Sequence, residues 1–126
     1  MPQVTSEEVA ALVQKELQEF RYELPAPGTT IGIPWSVEKA YGYVEQLNSF
    51  LVKPYLQEFW LADTYEQSSA STKQLVRYWV VASVRDHLEF FDASEGNFGL
   101  GRSFASSPTP FTIGVRGDLV GVFCAI

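Results

Sequence analysis

The residues that carry most metal and redox chemistry are nearly absent from this chain, which has one cysteine, Cys124, and one histidine, His87. A lone cysteine forms no internal disulfide, and a lone histidine leaves no two-histidine metal site and no histidine relay. Basic side chains are scarce as well, nine against fifteen acidic ones for a net charge of -6. That balance repels phosphate and argues against a sequence-independent hold on nucleic acid, which needs clustered Lys and Arg. No apolar run approaches the roughly 18 residues that cross a bilayer, and the N-terminal segment is too acidic to lie on an anionic membrane. The opening Met1-Pro2-Gln3-Val4-Thr5-Ser6-Glu7-Glu8 has neither the basic nor the apolar region of a secretory signal. The expectation is a soluble, cytoplasmic protein with no cofactor, no metal, no nucleic-acid partner and no membrane association.

What the chain does have suits one globular domain. Its 126 residues are enough to remove roughly two thirds of the unfolded surface from water on folding, and the 46% hydrophobic and 14% aromatic content supplies a core. Charge is uneven: residues 1 to 63 carry four basic against nine acidic side chains, and the remainder is nearly balanced. A solvated helix face accounts for this acidity, with an acidic patch for a basic partner as the alternative.

The first half reads as helical. Thr5-Ser6-Glu7-Glu8 has the form of a capping box with Val4 and Val9 placed as a hydrophobic staple, and Val9, Leu12, Val13, Leu17 and Phe20 follow at helical spacing. Pro25-Ala26-Pro27-Gly28 makes a stiff connector, and Thr29 to Ile33 reads as coil or a short edge strand. Ser36 caps a second helix, with Val37, Ala40, Tyr41, Val44, Leu47 and Leu51 along one side, until Pro54 stops it near Val52 or Lys53.

The second half reads as strands. Tyr55 to Gln67 alternates as a strand would, and Ser68 to Ser71 is a polar turn. Thr72 to Val84 is dense in Val, Tyr and Trp, which favours a strand over the rival helix that Ser71-Thr72-Lys73-Gln74 would cap. His87 to Asp92, Asn97 to Arg102 and Phe111 to Arg116 follow; Ser103 to Pro110 reads as the one substantial surface loop, and Gly117-Asp118 as a tight hairpin into a last strand, Leu119 to Ile126. The fold class expected is α+β, with two N-terminal helices packed on a mainly antiparallel five- to six-stranded meander sheet.

An antiparallel sheet with one wet face alternates apolar and polar positions, and these strands do not. In the segment from Thr72, one face carries Val76, Tyr78, Val80 and Ala82, and the other Leu75, Arg77, Trp79 and Val81. Two helices cover one face, so the second needs a pocket, a loop or another subunit. Arg and Trp on an apolar surface have the composition of an interface hot spot, although a cross-strand ion pair with a solvated Arg and a core Trp is the plainer explanation. Trp35 and Trp60 read as core residues or pocket lining.

Chemical signals are weak. His87 beside Asp86 or Glu89 is a lone candidate base, outweighed by a turn-flanking role, and Cys124 reads as an inert thiol on an apolar strand. The acidic turn from Asp92 to Asn97 lacks the glycine position and the final bidentate Glu of a calcium loop. Gly96, Gly99 and Gly101 reverse the dinucleotide order, and such glycines more often mark a bend or a close backbone approach. Asp63, Asp86, Glu89, Asp92 and Asp118 offer carboxylates without indicating which two would meet.

The segment Tyr78-Trp79-Val80-Val81-Ala82, leading to Leu88-Glu89-Phe90-Phe91-Asp92 and the glycine turn, resembles the central hairpins of the SUKH immunity-type domains. That resemblance implies a protein-binding role, and the acidic helical half suits a basic partner. The reading carried forward is a non-enzymatic protein-binding module, most simply a homo-oligomer, with Leu75, Arg77, Trp79, Val81, Trp60 and His87 as candidate binding residues. The alternative is a small enzyme or carrier that holds an apolar or aromatic ligand between helices and sheet, with Trp60, Tyr41 or Trp79 lining the cavity.

Overall fold

The computed structural model describes residues 4–21 and 36–126. The Pro25-Gly28 connector, the Thr29-Ile33 passage and Trp35 lie outside them. Helix α1 (Ser6–Glu19) begins at the capping box: the Thr5 hydroxyl accepts from the Glu8 amide at 3.2 Å, and the Glu8 carboxylate accepts from the Thr5 amide at 3.2 Å. It buries Val9 and Val13. In α2 (Val37–Phe50) the Ser36 side chain accepts from the Lys39 amide, and Ala40 and Leu47 are buried. The helix stops at Phe50, short of Val52, and Leu51 is already extended. Pro54 has no amide to continue a helix and disfavours helical geometry at the residue before it.

Five strands follow among the described residues: β1 (Leu51–Trp60), β2 (Leu75–Val84), β3 (His87–Asp92), β4 (Asn97–Phe104) and β5 (Ser107–Gly117). The Thr72-Val84 segment is therefore a strand and not the rival helix. Each strand runs antiparallel to the next, and the sheet closes into a barrel in chain order. In an up-and-down run of five, the first and last strands point the same way, so the closing contact is parallel; it is made at Trp60 and Phe111. The α+β class with an antiparallel sheet holds, and closure leaves each strand an inward and an outward face.

The inside of the barrel is filled by Phe59, Tyr78, Val80 and Phe90. Tyr78 and Phe90 stack with ring centroids 4.3 Å apart, and Phe59 leans on Phe90 at 5.0 Å. Three aromatic rings fit in so narrow a barrel because β4 gives up side chains opposite them. A Cβ on Gly99 would stand 2.5 Å from Phe90 Cζ, and one on Gly101 would stand 2.4 Å from Phe59 Cε2. Those glycines mark a close approach of backbone to ring.

A second core lies outside the barrel, between its wall and the helices. Val9 and Val13 of α1 and Leu47 of α2 meet Val81, Ala82, Phe91, Phe98 and Leu100 of the wall there. A register shift between Val80 and Ala82 lets β2 serve both cores, Val80 inside and Val81 and Ala82 under the helices.

Three segments depart from the sequence reading. The apolar run after Asp118 is a helix, α4 (Leu119–Phe123), rather than a strand. Leu119, Val120, Val122 and Phe123 are all buried at spacings that share a helix face, and they join the outer core. Ser103 to Pro110 is not a long loop, because β4 and β5 run into one another with Phe104 paired to Ser107. Finally, Tyr65 to Ser69 forms a short helix, α3, started by a capping box of Thr64 and Gln67.

Candidate functional site: the outer wall of β1 and β2

Strand alternation sends Phe59, Tyr78 and Val80 inward and the residues between them outward. Three outward cross-strand pairs form a ladder: Leu56 opposite Trp79, Glu58 opposite Arg77, and Trp60 opposite Leu75. The ladder leaves the helices as it descends. Val81 is fully buried beneath them, Trp79 is half-buried at their margin, and Leu56 and Leu75 are 47% and 42% exposed. Glu58 and Arg77 are both exposed, and neither forms an ion pair within the described residues.

Of the residues singled out from sequence, Leu75, Arg77, Trp79 and Trp60 come together on this wall. Val81 shares the wall but is covered. His87 does not join them: it opens β3 at the opposite end of β2, paired in register with Val84, and its Nδ1 lies 3.1 Å from Asp86 Oδ1. Asp86 also accepts from Arg102 Nε at 3.0 Å, which holds its carboxyl below the usual range.

Beyond Trp60 the wall continues across the closing seam to Phe111. A groove of about 450 Å³ runs there, lined by Ala62, Lys73, Phe104, Phe111 and Ile113 among others, and a neighbouring one includes Trp60, Thr72 and Lys73. The Arg102 guanidinium lies 5.3 Å from the Phe104 ring centroid. Trp60 thus faces the seam, whereas Tyr41 sits on α2 against the edge of Phe20, 5.5 Å away.

Two polar features escaped the sequence reading. Arg116, on β5, donates to Asp63 Oδ2 at 2.8 Å, Asp92 Oδ2 at 2.9 Å, Asn97 Oδ1 at 3.2 Å and Tyr78 Oη at 3.0 Å. Burial works against its charge, but the hydrogen bonds to Asp63, Asp92 and Tyr78 outweigh burial and hold it protonated. This is where two of the unassigned carboxylates meet, and the cation between them makes the cluster structural. The second feature is Glu89, fully buried, with both carboxylate oxygens lacking a hydrogen-bond partner. The signal was available in part: Glu89 sits among Leu88, Phe90 and Phe91, the apolar centre of its strand.

Among the described residues no group of three or more His, Cys, Asp or Glu is placed to hold a metal ion, and no helix is long and apolar enough to cross a membrane. Cys124 closes α4 as its C-cap residue, and burial, with Asp118 and Glu89 nearby, pushes its thiol pKa up. No protein-family model, curated protein or solved structure matches the chain.

Proposed function

We propose that the protein is a non-enzymatic binding module whose partner is a second copy of itself, docked through the outer wall of β1 and β2. The observation that carries this reading is the symmetry of the ladder. A twofold axis along the strands, midway between β1 and β2, would lay β1 of one copy over β2 of the other. Each cross-strand pair then becomes an intermolecular pair: Glu58 over Arg77, Trp60 over Leu75, Leu56 over Trp79. One row joins opposite charges that form no ion pair among the described residues, and the rows on either side join apolar side chains. Such self-complementarity is the requirement of an isologous interface, and the mixture of Trp, Leu and Arg is the composition of an energetic centre.

Sedimentation equilibrium tests it, with wild type beside Trp60→Ala and Arg77→Glu. Wild type should sediment as a dimer, and each variant should weaken association by roughly 30-fold or more, the loss expected when a hot-spot residue of about 2 kcal/mol is removed. Wild type that stays monomeric at millimolar concentration would sink the reading.

A further inference from the structure

Glu89, on β3, lies outside the proposed docking wall. It stands opposite Ala82 of β2 and Leu100 of β4, both members of the core between barrel and helices. Helix α4 packs on β4 and β5 and closes that core. Among the described residues no cation acts on the carboxyl. Asp118 and Cys124, at the two ends of α4, lie near it, and Glu16 of α1 lies near Asp118 in turn. The outward residues of β3 and β4 next in line, His87 and Arg102, are both engaged by Asp86, and among the described residues the titratable side chain that α2 contributes to this core is the partly buried Tyr43. β2 offers no charge beside Ala82.

An ionised carboxylate in such surroundings must either gain a partner or reach water. The strands on either side of Glu89 are held by ladders on both edges, but α4 has five residues and little to hold it besides its apolar face. Its N-cap residue, Asp118, makes no side-chain cap hydrogen bond, and Ala125 and Ile126 are exposed. We propose that Glu89 and α4 form a proton-controlled latch: with the Glu89 carboxyl protonated α4 stays docked on the barrel, and loss of that proton releases the segment from Asp118 to Ile126. Burial first, and then the Asp118 carboxylate, push the Glu89 pKa up to about 9, so the latch is closed at neutral pH and loosens as the solution becomes alkaline. Release would uncover Leu119, Val120, Val122 and Phe123 together with the wall beneath them.

Hydrogen exchange of the intact protein from pH 5 to pH 9, corrected for the intrinsic rate, reads this directly. The amides of Val122, Cys124, Ala125 and Ile126 bond to Asp118, Val120, Val122 and Phe123 carbonyls only while α4 is folded. In wild type their protection should fall about tenfold per pH unit across this interval, because opening returns Glu89 to an ordinary carboxyl environment. Barrel amides such as those of Val80 and Phe90, which exchange only on global unfolding, should stay far better protected than those of α4 at every pH. Glu89→Gln, uncharged at every pH, should hold α4 protection flat, and Glu89→Leu should do the same with no polar atom. Flat α4 protection in wild type overturns the latch. So does α4 protection that equals barrel protection across the range, or an α4 decline that persists in either variant. If neither variant folds, the wild-type contrast between α4 and barrel amides decides alone.

Discussion

Arg116 and Asp92 bond at 2.9 Å between β5 and the end of β3, with the Asp92 side chain only 4% exposed. The same guanidinium lies 5.2 Å and 5.1 Å from the ring centroids of Tyr78 and Phe90, so one cation ties two carboxylates to the stacked aromatics inside the barrel. Arg116→Ala would strand the Asp92 and Asp63 charges with no counterion. Removing one partner of a buried pair costs about 3 kcal/mol or more, because the remaining charge stays desolvated. A urea midpoint lowered by that amount is expected, with Arg116→Lys in between, since an ammonium cannot hold both carboxylates in the same planar fork.

Asp92 gives this cluster an acid limit. Burial raises its pKa, but hydrogen bonds from Ser94, Arg116 and the Glu95 amide outweigh that and hold it below the ordinary 3.8. With the folded value depressed, the unfolded chain takes up the proton first as pH falls. The stabilisation is complete above the ordinary value and is lost on descending through the folded one. Asp92→Asn should lower stability at pH 7 and flatten the decline of the wild type between pH 4 and pH 2, as followed by thermal melts.

Gly101 and Gly99 make a packing prediction that needs no charge. Gly101→Ala would drive a methyl to within 2.4 Å of Phe59, a fully buried ring packed against both Tyr78 and Phe90. Overpacking of this kind costs typically 1–3 kcal/mol. Gly42, on α2 with nothing within 4 Å of its Cβ direction, supplies the control. Gly42→Ala should be neutral or stabilising by up to about 1 kcal/mol, since alanine is the better helix former. Chemical denaturation of the two variants side by side measures the contrast.

Local signals were readable wherever one chemistry dominates. The Thr5-Glu8 box, the Ser36 cap and the Val-Tyr-Trp density of β2 each point to the element that forms. The in-strand glycines of β4 also read correctly as a close backbone approach. Barrel closure was not readable, because a single pair, Trp60 and Phe111, carries it across the seam, and long-range pairing leaves no mark on local periodicity. The same blindness turned α4 into a strand: a five-residue helix shows barely more than one turn, and Leu119-Val120-Gly121-Val122-Phe123 suits a strand equally well by composition. The surplus of outward apolar residues was legible, and α4 turns out to supply part of its cover. Arg116 was overlooked because its partners, Asp63 and Asp92, come from distant parts of the chain.

Glu89 predicts an unusual stability profile. Its folded pKa is raised from 4.5 to about 9, so between those values the native protein keeps a proton that the unfolded chain has released. The contribution is complete below the ordinary carboxyl value and is lost as pH rises toward the folded one, at a slope of about 1.4 kcal/mol per pH unit. Wild-type stability should therefore decline from pH 5 to pH 9. Glu89→Gln, which has no proton to lose, should show no such slope and should exceed wild type at pH 8. Urea denaturation at successive pH values checks both; parallel profiles for the two proteins would show that Glu89 does not set the slope.

The charged row of the outer wall offers a sharper test of self-association than truncation, which removes packing as well as pairing. Under the twofold arrangement each interface contains the Glu58 to Arg77 contact twice, once from each copy. Arg77→Glu alone should oppose like charges at both places and disrupt the dimer. Glu58→Arg alone should do the same with the opposite sign. The double variant restores complementarity between copies, so its dissociation constant should return to within about tenfold of wild type, although neither single substitution is neutral. Mixing the two single variants gives a second reading: one copy then presents only acidic residues on this row and the other only basic ones, so a heterodimer should form where neither variant pairs with itself. Light scattering on the mixture and on each component separates this from a general loss of folding, because a damaged barrel would not be repaired by a partner of opposite charge.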